Sequence, residues 1–504
     1  MTLHFPGLEF AVVLPLLGAI FVSFLRDPLR ARHASVIITG VTLLCTIATW
    51  VDFAYLDDSI KFASDPFDLV QLVTGHELFD IDKLSAPLLP LVALLYFLTT
   101  LTTLHIKIRR FSFTLNLISE GLVLATFSCD NSQWGIITLL ALSTIPPLIE
   151  LRARNKPTRV YLIHMGLFVA LLIGGQLLVD SFDSKDRPTW AVVPLLVAVL
   201  IRSGIIPFHC WVTDLFEHAS FGTALLFVTP ITGAYAAVHL ILPIAGDTLL
   251  RAMGLISLVT AVYTAGMALV QREARRLFCY LFLSHSALVL MGLEMLQPYG
   301  LTGALCVWLS VGLSLGGFGL ALRALESRRG RLLLHDFQGL YEQTPTLAVC
   351  FALLGLASVG FPGTIGFIGM EMLVDGAVET YPSVGIAVVV AAALNGIAVI
   401  HTYFIIFTGT RHRSMISLRI GWRERTAVLG LAALILLGGI IPQPGVHSRH
   451  LASQEILRER ATHPELDDDH DDYDDDDDDD DKKHDDKKHD DHKKRDRKEH
   501  DDKD

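Results

Sequence analysis

Charge is scarce over most of this 504-residue chain. Residues 467–504 hold 22 of the 53 acids and 10 of the 41 bases, which leaves 31 of each in residues 1–466. The formal net charge of −12 therefore belongs to the last stretch alone, and the body is neutral. At 62 charges in 466 residues, the body has roughly half the charge density usual for a soluble globular domain, which excludes a soluble enzyme. Cysteine is also sparse. Cys45, Cys129, Cys210, Cys279, Cys306 and Cys350 stand singly with no CxxC pair, so neither a disulfide framework nor a cluster site is indicated. They read as small apolar fillers. Nor is there a GxGxxG opening a helix, a haem or cluster spacing, or a P-loop, so this chain is expected to bind no redox cofactor of its own.

Apolar runs take the place of charge. A helix needs about 20 predominantly apolar residues to cross roughly 30 Å of hydrocarbon. Such runs fall near 8–25, 34–51, 84–106, 111–128, 134–150, 160–179, 190–206, 223–242, 252–270, 277–296, 301–322, 345–370, 383–408 and 426–441. They are too long and too evenly apolar for barrel strands, and in lipid each backbone group must be satisfied within its own segment, so they are helices. The first run has no basic segment before it and no small-residue cleavage pattern after it, and reads as a retained span, not a signal peptide. The expected architecture is an all-α, polytopic integral membrane protein. A bundle of about 14 transmembrane helices occupies 1–441, a linker 442–466 and a disordered acidic tail 467–504.

Short loops facing the cytoplasm are enriched in Lys and Arg. The loop around Arg26, Arg30 and Arg32 and the alternate loops from Lys107, Arg152, His209, Arg272, Arg323 and Arg411 carry 22 of the body's 31 bases. The opposite loops carry five, and 442–466 carries three. That asymmetry puts both termini on the outer side of a cell inner (cytoplasmic) membrane. One base is left over, Arg202, inside the seventh span. An ionisable group at that depth is costly and by default functional, facing the bundle interior; the alternative is a side chain that snorkels to a helix end. Around it, Leu200 to Trp211 combines Arg202, Gly204, Pro207 and His209, the composition of a broken helix near 202–211 whose unwound backbone lines an ion path.

This segment resembles the antiporter-like, proton-conducting membrane subunits of NADH-quinone oxidoreductase, a family that also includes subunits of Mrp antiporters, membrane hydrogenases and DAB-type inorganic carbon uptake complexes. In that family a buried Lys stands five residues before a Pro-Phe-His-x-Trp-x-x-Asp run; here the run is Pro207, Phe208, His209, Trp211 and Asp214, with Arg202 in the position of the Lys. Gln271 to Leu277, including Arg276, followed by Ser284-His285, is similar to a second family motif, and Leu356 to Phe367, including Pro362 and Gly363, to a third. Phe79 to Ser85 resembles the start of the family's third helix and Ser119-Glu120-Gly121 a motif in its fourth. The matches run in order over about residues 79–409.

The departures bear on mechanism. The family's fifth-helix Glu, five residues before a Pro, is replaced by Ala141 or Leu142 ahead of Pro146 and Pro147. Glu150 lies about 12 Å further along a helix and some 80° round it, and reads as a helix-end residue. Ile231 stands where some members have a Lys four residues before Tyr235, and the eleventh span lacks the usual His or Lys. Arg keeps its proton at any accessible pH, whereas Lys can release it. Arg202 can bias neighbours, order water or hold an anion, but it cannot pass on a proton. The expected carriers are then Glu120, at mid-membrane and with Arg202 as its obvious partner, and the histidines His164, His209, His239, His285 and His401, since imidazole titrates near neutral pH.

The resemblance implies a membrane subunit of an NADH-quinone-oxidoreductase-like complex that takes part in proton or cation translocation. It carries no redox site of its own and meets NADH and quinone only through partner subunits, membrane and peripheral. Two alternatives stand beside it: a DAB-type membrane subunit energising bicarbonate or carbon dioxide uptake with a soluble zinc partner, and a scaffold that kept the fold without conducting. No nucleic-acid partner is indicated. The tail, rich in Asp, His and Lys, cannot bury a core; its histidines His470, His484, His489, His492 and His500 could hold divalent metals weakly.

Overall fold

The computed structural model describes residues 2–56, 60–66, 78–104, 108, 111–129, 132–183, 187–409 and 420–462. The acidic tail and its five histidines lie outside them. Described residues form helices α1 (Gly7–Ser23), α2 (Pro28–Ala54), α3 (Leu88–Leu101), α4 (Phe113–Phe127), α5 (Gln133–Ser143), α6 (Ile145–Ala153), α7 (Arg159–Asp180), α8 (Thr189–Ser203), α9 (Cys210–His218) and α10 (Phe221–Val228). There follow α11 (Thr232–Ala236) with a π-helical turn at Ala237–Ile241, α12 (Asp247–Leu269), α13 (Ala274–Gly292), α14 (Pro298–Arg329), α15 (Pro345–Ser358), α16 (Ile365–Thr380), α17 (Pro382–Phe407), α18 (Trp422–Ile440) and α19 (Gln443–Ala461). The fold is all-helical; among the described residues extended pairing is limited to isolated bridges.

Local sequence explains many of the ends. Asp27 accepts from the Leu29 N–H ahead of Pro28, and Ser112, Ser132 and Ser220 accept from Leu115, Gly135 and Thr223, side-chain caps for donors that a helix start leaves unpaired. Eight helices or helix pairs are long and apolar enough to cross a membrane, and α18 with α19 would make a ninth. The expectation of fourteen spans requires the shorter apolar helices α1, α3, α4, α8 and α15 to cross as well.

The long α14 is the hub. It is buried along nearly its whole length, and it meets α16 through glycines on both sides: Gly303 abuts the Met372 and Leu373 backbone, Gly369 abuts Cys306 and Val307, and Gly300 faces Gly376. Small residues at helix crossings let backbones approach in a setting where lipid supplies no hydrophobic drive between helices. On the periphery, α2, α7 and α17 expose Leu44, Ile47, Ile163, Leu177, Ile386 and Ile397, as lipid-facing surfaces require.

Three helices are interrupted. Helix α8 ends at Gly204 in the left-handed region (φ +69°) and α9 starts at Cys210; a break was expected there. Residues 345–370, read from sequence as one span, are two helices: α15 stops at Ser358, Gly360 and Gly363 take φ of +86° and +83°, and α16 resumes at Ile365. The apolar run concealed the break because Gly-Phe-Pro-Gly leaves hydropathy high while disrupting the helical backbone. Residues 223–242 are likewise divided after Val228, with Ile231 at φ +52°.

Residues 442–466, expected as a linker, are helical over Gln443–Ala461. Helix α19 turns 78° away from α18 and is pinned to the body. Its Arg449 is 1% exposed and donates to the Leu84 and Lys83 carbonyls. Arg460 donates to the Leu242 and Ala245 carbonyls and to Asp247, and Ser453 bonds Thr302 at 2.8 Å. Polar composition hid this helix, since it is held largely by arginine hydrogen bonds to loop carbonyls near helix ends, with only Ala452 and Ile456 buried in the apolar core.

Candidate functional site

The helix breaks gather polar groups at membrane depth. Where α8 stops, the Ile201 carbonyl keeps only a tightened bond from the Gly204 N–H at 3.1 Å, and the Trp211 indole N–H also donates to it at 2.8 Å. The Ile206 N–H finds Thr260 Oγ1 at 3.2 Å. At the second break the Trp308 indole donates to the Pro230 carbonyl at 3.1 Å. Unwound backbone in a bilayer survives only when such partners exist, and these two tryptophans hold the breaks open.

Arg202, 4% exposed, sits at the first of them. Its guanidinium stacks 4.0 Å over Phe227 and 5.9 Å from Trp211, and donates to the Phe227 carbonyl at 3.4 Å. The ion pair with Glu120 expected from sequence is absent from the described residues; no carboxylate lies within ion-pair distance of Arg202. The reason is geometric: aromatic faces from α9 and α10 enclose the guanidinium. Tyr161 of α7 packs against the same two rings, 6.4 Å from Trp211 and 6.2 Å from Phe227. A cavity of about 10 Å³ adjoins Arg202, bounded also by Ser203, Thr232, Gly233 and Ser286. That is about the room one water needs. The Arg202 Nε, Ser203 Oγ and Thr232 Oγ1 atoms are buried without a hydrogen-bond partner among the described residues.

Glu120 is fully buried in α4, and neither carboxyl oxygen has a hydrogen-bond partner among the described residues. A carboxyl in that setting is held at least cost uncharged. Its neighbour in sequence, Ser119, bonds the Tyr96 hydroxyl at 2.7 Å, so α3 and α4 meet at one polar point.

Past the cavity, His285 of α13 is fully buried; its Nδ1 lies 2.7 Å from the Leu281 carbonyl, and the ring stands near the Ser358 backbone at the third break. Its neighbour Ser284 accepts from the Asn395 amide at 2.8 Å and donates to the Ala261 carbonyl. Gly366, at the start of α16, lies against Ser310 Oγ and the Ala357 carbonyl. From Glu120 to Asn395, side chains of α3, α4, α8, α11, α13 and α17 thus form a polar seam through an otherwise apolar bundle.

The other expected residues separate. His239 lies in the π-helical turn, its ring 4.2 Å from the Tyr235 ring, and adjoins the seam from α11. His209 and His164 are half-buried; His209 packs between Tyr263 and Tyr280, and His164 Nδ1 is 2.9 Å from the Val160 carbonyl. Asp214 pairs with His218 at 3.1 Å within α9, and Arg276 at the start of α13 pairs with Glu217 at the end of α9. Pro362 and Gly363 form the third break. His401 is exposed on the outer side of α17, away from the seam, because its helical phase differs from that of the buried Asn395, Ala398 and Thr402.

Glu150 is not merely a helix-end residue. It is 4% exposed, accepts from Arg154 at 2.9 Å and from the Ser220 N–H at 2.8 Å, and is bonded by the Thr223 hydroxyl, so it caps α10 across space. Sequence reasoning passed over Tyr96, Thr232 and Asn395, and gave Ser203 and Ser284 no part in a path although they lie in the quoted segments. Each is a small or neutral polar residue in an apolar run, a common packing pattern, and only their positions in the fold mark them. Arg202 is also not alone as a buried cation: Arg32 is 2% exposed and Arg449 1%, and the half-buried Arg323 is held by Thr99, Thr102, Thr103 and Phe111.

Residues 165–395 match the family model described as NADH:quinone oxidoreductase/Mrp antiporter, TM. The chain is similar to NAD(P)H-quinone oxidoreductase chain 4 of the Chloranthus spicatus chloroplast, 26% identical over 409 residues, which cover 75% of this chain and 81% of that one. It is likewise 26% identical over 401 residues to NADH-quinone oxidoreductase subunit 13 of Thermus thermophilus, covering 74% and 83%. A chain in the structure of respiratory complex I from Thermus thermophilus with bound NADH shares the fold at a TM-score of 0.76, with 23% identity and coverage of 90% and 99%.

Proposed function

Because this chain belongs to the antiporter-like membrane-subunit family of NADH-quinone oxidoreductases and Mrp antiporters, we propose that it carries protons, or another cation, across the cell inner membrane as one subunit of an NADH-quinone-oxidoreductase-like complex. Other membrane and peripheral subunits supply the electron chemistry with NADH and quinone. The observation that supports this reading is the polar seam, above all the fully buried Glu120 whose carboxyl oxygens have no partner among the described residues. Glu120 is the proton-bearing group. Tyr96 bonds Ser119, the residue before it, and the fixed positive charge of Arg202 sets the electrostatic cost of a proton arriving in the cavity beside it. His285, His239, His209 and His164 are the further candidates along and beside the path; the exposed His401 fits it poorly. The orientation with both termini outside follows the distribution of bases and belongs to the same proposal.

The test is proton movement by the assembled complex in sealed vesicles. Glu120→Gln keeps size and polarity but removes the titrating group, and coupled proton movement is expected to fall to background while the complex still assembles. Pumping at the wild-type level in that variant would overturn the assignment. Flux that depends on Glu120 or Arg202 also excludes the scaffold reading. The replacement of the family's relay residues by Ala141, Leu142 and Ile231 favours, as a second reading, coupling to inorganic carbon uptake; a soluble zinc-binding partner co-purifying in place of electron-transfer subunits would decide for it.

A further inference from the structure

On the side of the body where Glu150 caps α10, a crevice of about 240 Å³ opens between the end of α6, the α9–α10 junction and the ends of α13 and α14. Five bases line it, Arg154, Lys156, Arg275, Arg323 and Arg331, against two acids, Glu217 and Glu326. Both acids are engaged. Glu326 accepts from Arg275 at 2.6 Å, and Glu217 pairs with Arg276, which is not in the lining. Arg154 is matched by Glu150, and Arg331 by Glu273 at 3.3 Å. Two cations are left: among the described residues, neither Arg323 nor Lys156 has a carboxylate within ion-pair distance.

Arg323 is the telling one. Its guanidinium donates to the Thr99 carbonyl at 2.7 Å, to Thr103 Oγ1 at 2.8 Å and to Thr102 Oγ1 at 3.3 Å, all neutral, and lies 5.3 Å from the centre of the Phe111 ring. It also packs on Gly222, where a side chain would strike it. The first turn of α10, through Ser220, Phe221 and Gly222, forms another wall of the crevice, and the start of a helix presents N–H groups and a positive dipole end. A half-buried cation whose hydrogen bonds all go to neutral partners is incompletely compensated, and an anion in the adjoining space offsets that cost. Planar guanidinium forks with a lysine at the rim are the donor set that matches the tetrahedral oxygens of phosphate.

We propose that this crevice binds a phosphate group, carried either by an anionic phospholipid or as free inorganic phosphate. The site is separate from the polar seam and does not depend on the transport reading. Bound there, the phosphate clamps α10 to α14, because Arg323 holds α14 to α3 and covers the start of α10.

The test uses the full chain in nanodiscs of phosphatidylcholine, with thermal unfolding and phosphorus NMR as readouts. One arm adds inorganic phosphate; the other replaces part of the lipid with phosphatidylglycerol. Sodium chloride at matched ionic strength is the control. The unfolding midpoint is expected to rise in one arm, which identifies the source of the phosphate. Lys156 is exposed, so Lys156→Gln should fold normally; it is expected to weaken the response about tenfold, as loss of one charge-assisted contact does, while Lys156→Arg keeps it. A midpoint unmoved in both arms, or an unchanged response in Lys156→Gln, overturns the proposal. So does stabilisation by polyglutamate with none by either phosphate source, which would assign the crevice to an acidic protein partner.

Discussion

Glu294 lies just past the end of α13, against Gly254 of α12, and one of its carboxyl oxygens is buried without a hydrogen-bond partner. Burial pushes its carboxyl up from the ordinary value of 4.5 to about 7, against the opposing pull of Arg251. The unfolded chain releases this proton near 4.5 and the folded chain near 7, so the stability associated with the protonated carboxyl is complete below 4.5 and is lost as pH rises through that window. Glu294→Gln is therefore expected to match the wild type at pH 4 and to melt higher than it at pH 8; melting curves at the two pH values check this, and an equal gap at both would refute it. Arg202 raises a different question at the same scale. A guanidinium held over Phe227 and Trp211 is a permanent charge, which is why the proposed path takes its titrating step from Glu120 and the histidines and not from this position.

Among the elements, the interruptions matter more than the helices. Gly204 ends α8 at φ +69°, a conformation that costs other residues about 1–2 kcal/mol, and a side chain there would also press on Leu283 and Val212. Gly204→Ala should lower the melting point and disturb the Arg202 setting. Gly166, inside α7 with nothing within 4 Å of an added methyl, supplies the contrast: Gly166→Ala should leave stability unchanged or raise it by up to about 1 kcal/mol. Equal effects of the two substitutions would show that the break is not held by its glycine. The run from Leu200 to Trp211 was readable because charge, Gly and Pro coincide there. The breaks after Val228 and Ser358 were not, since Thr229 to Ile231 and Gly360 to Gly363 interrupt hydropathy hardly at all. Helix α19 was missed for the opposite reason, its hydropathy being that of a linker.

For the molecule as a whole, orientation is the property most open to direct test. If both ends lie outside, trypsin added to intact spheroplasts should cut within 467–504, where Lys482, Lys483, Lys487 and Lys488 are closely spaced, and leave the body intact. A tail cleaved only after the membrane is ruptured would reverse the topology. The apolar periphery and the neutral body are common to any such bundle; the resemblance to the family rests on ordered motifs spread over 79–409, of which those from Arg202 to Phe367 fall within the matched stretch 165–395.

Sequence alone determined the class of the molecule. Period, length and charge placement are one-dimensional quantities, and they suffice to require lipid-embedded helices and to isolate Arg202; the order of short motifs adds the resemblance to the family. Tertiary structure decided which polar groups meet. It denied Glu120 its expected partner, moved His401 to the surface, gave Glu150 to a helix start 70 residues away, and joined Tyr96, Ser203, Thr232, Ser284 and Asn395 into one seam. A lone Ser or Tyr in an apolar run carries no sign of its neighbours, because the cost of burying it depends on partners supplied by other helices, and those are fixed only when the bundle closes.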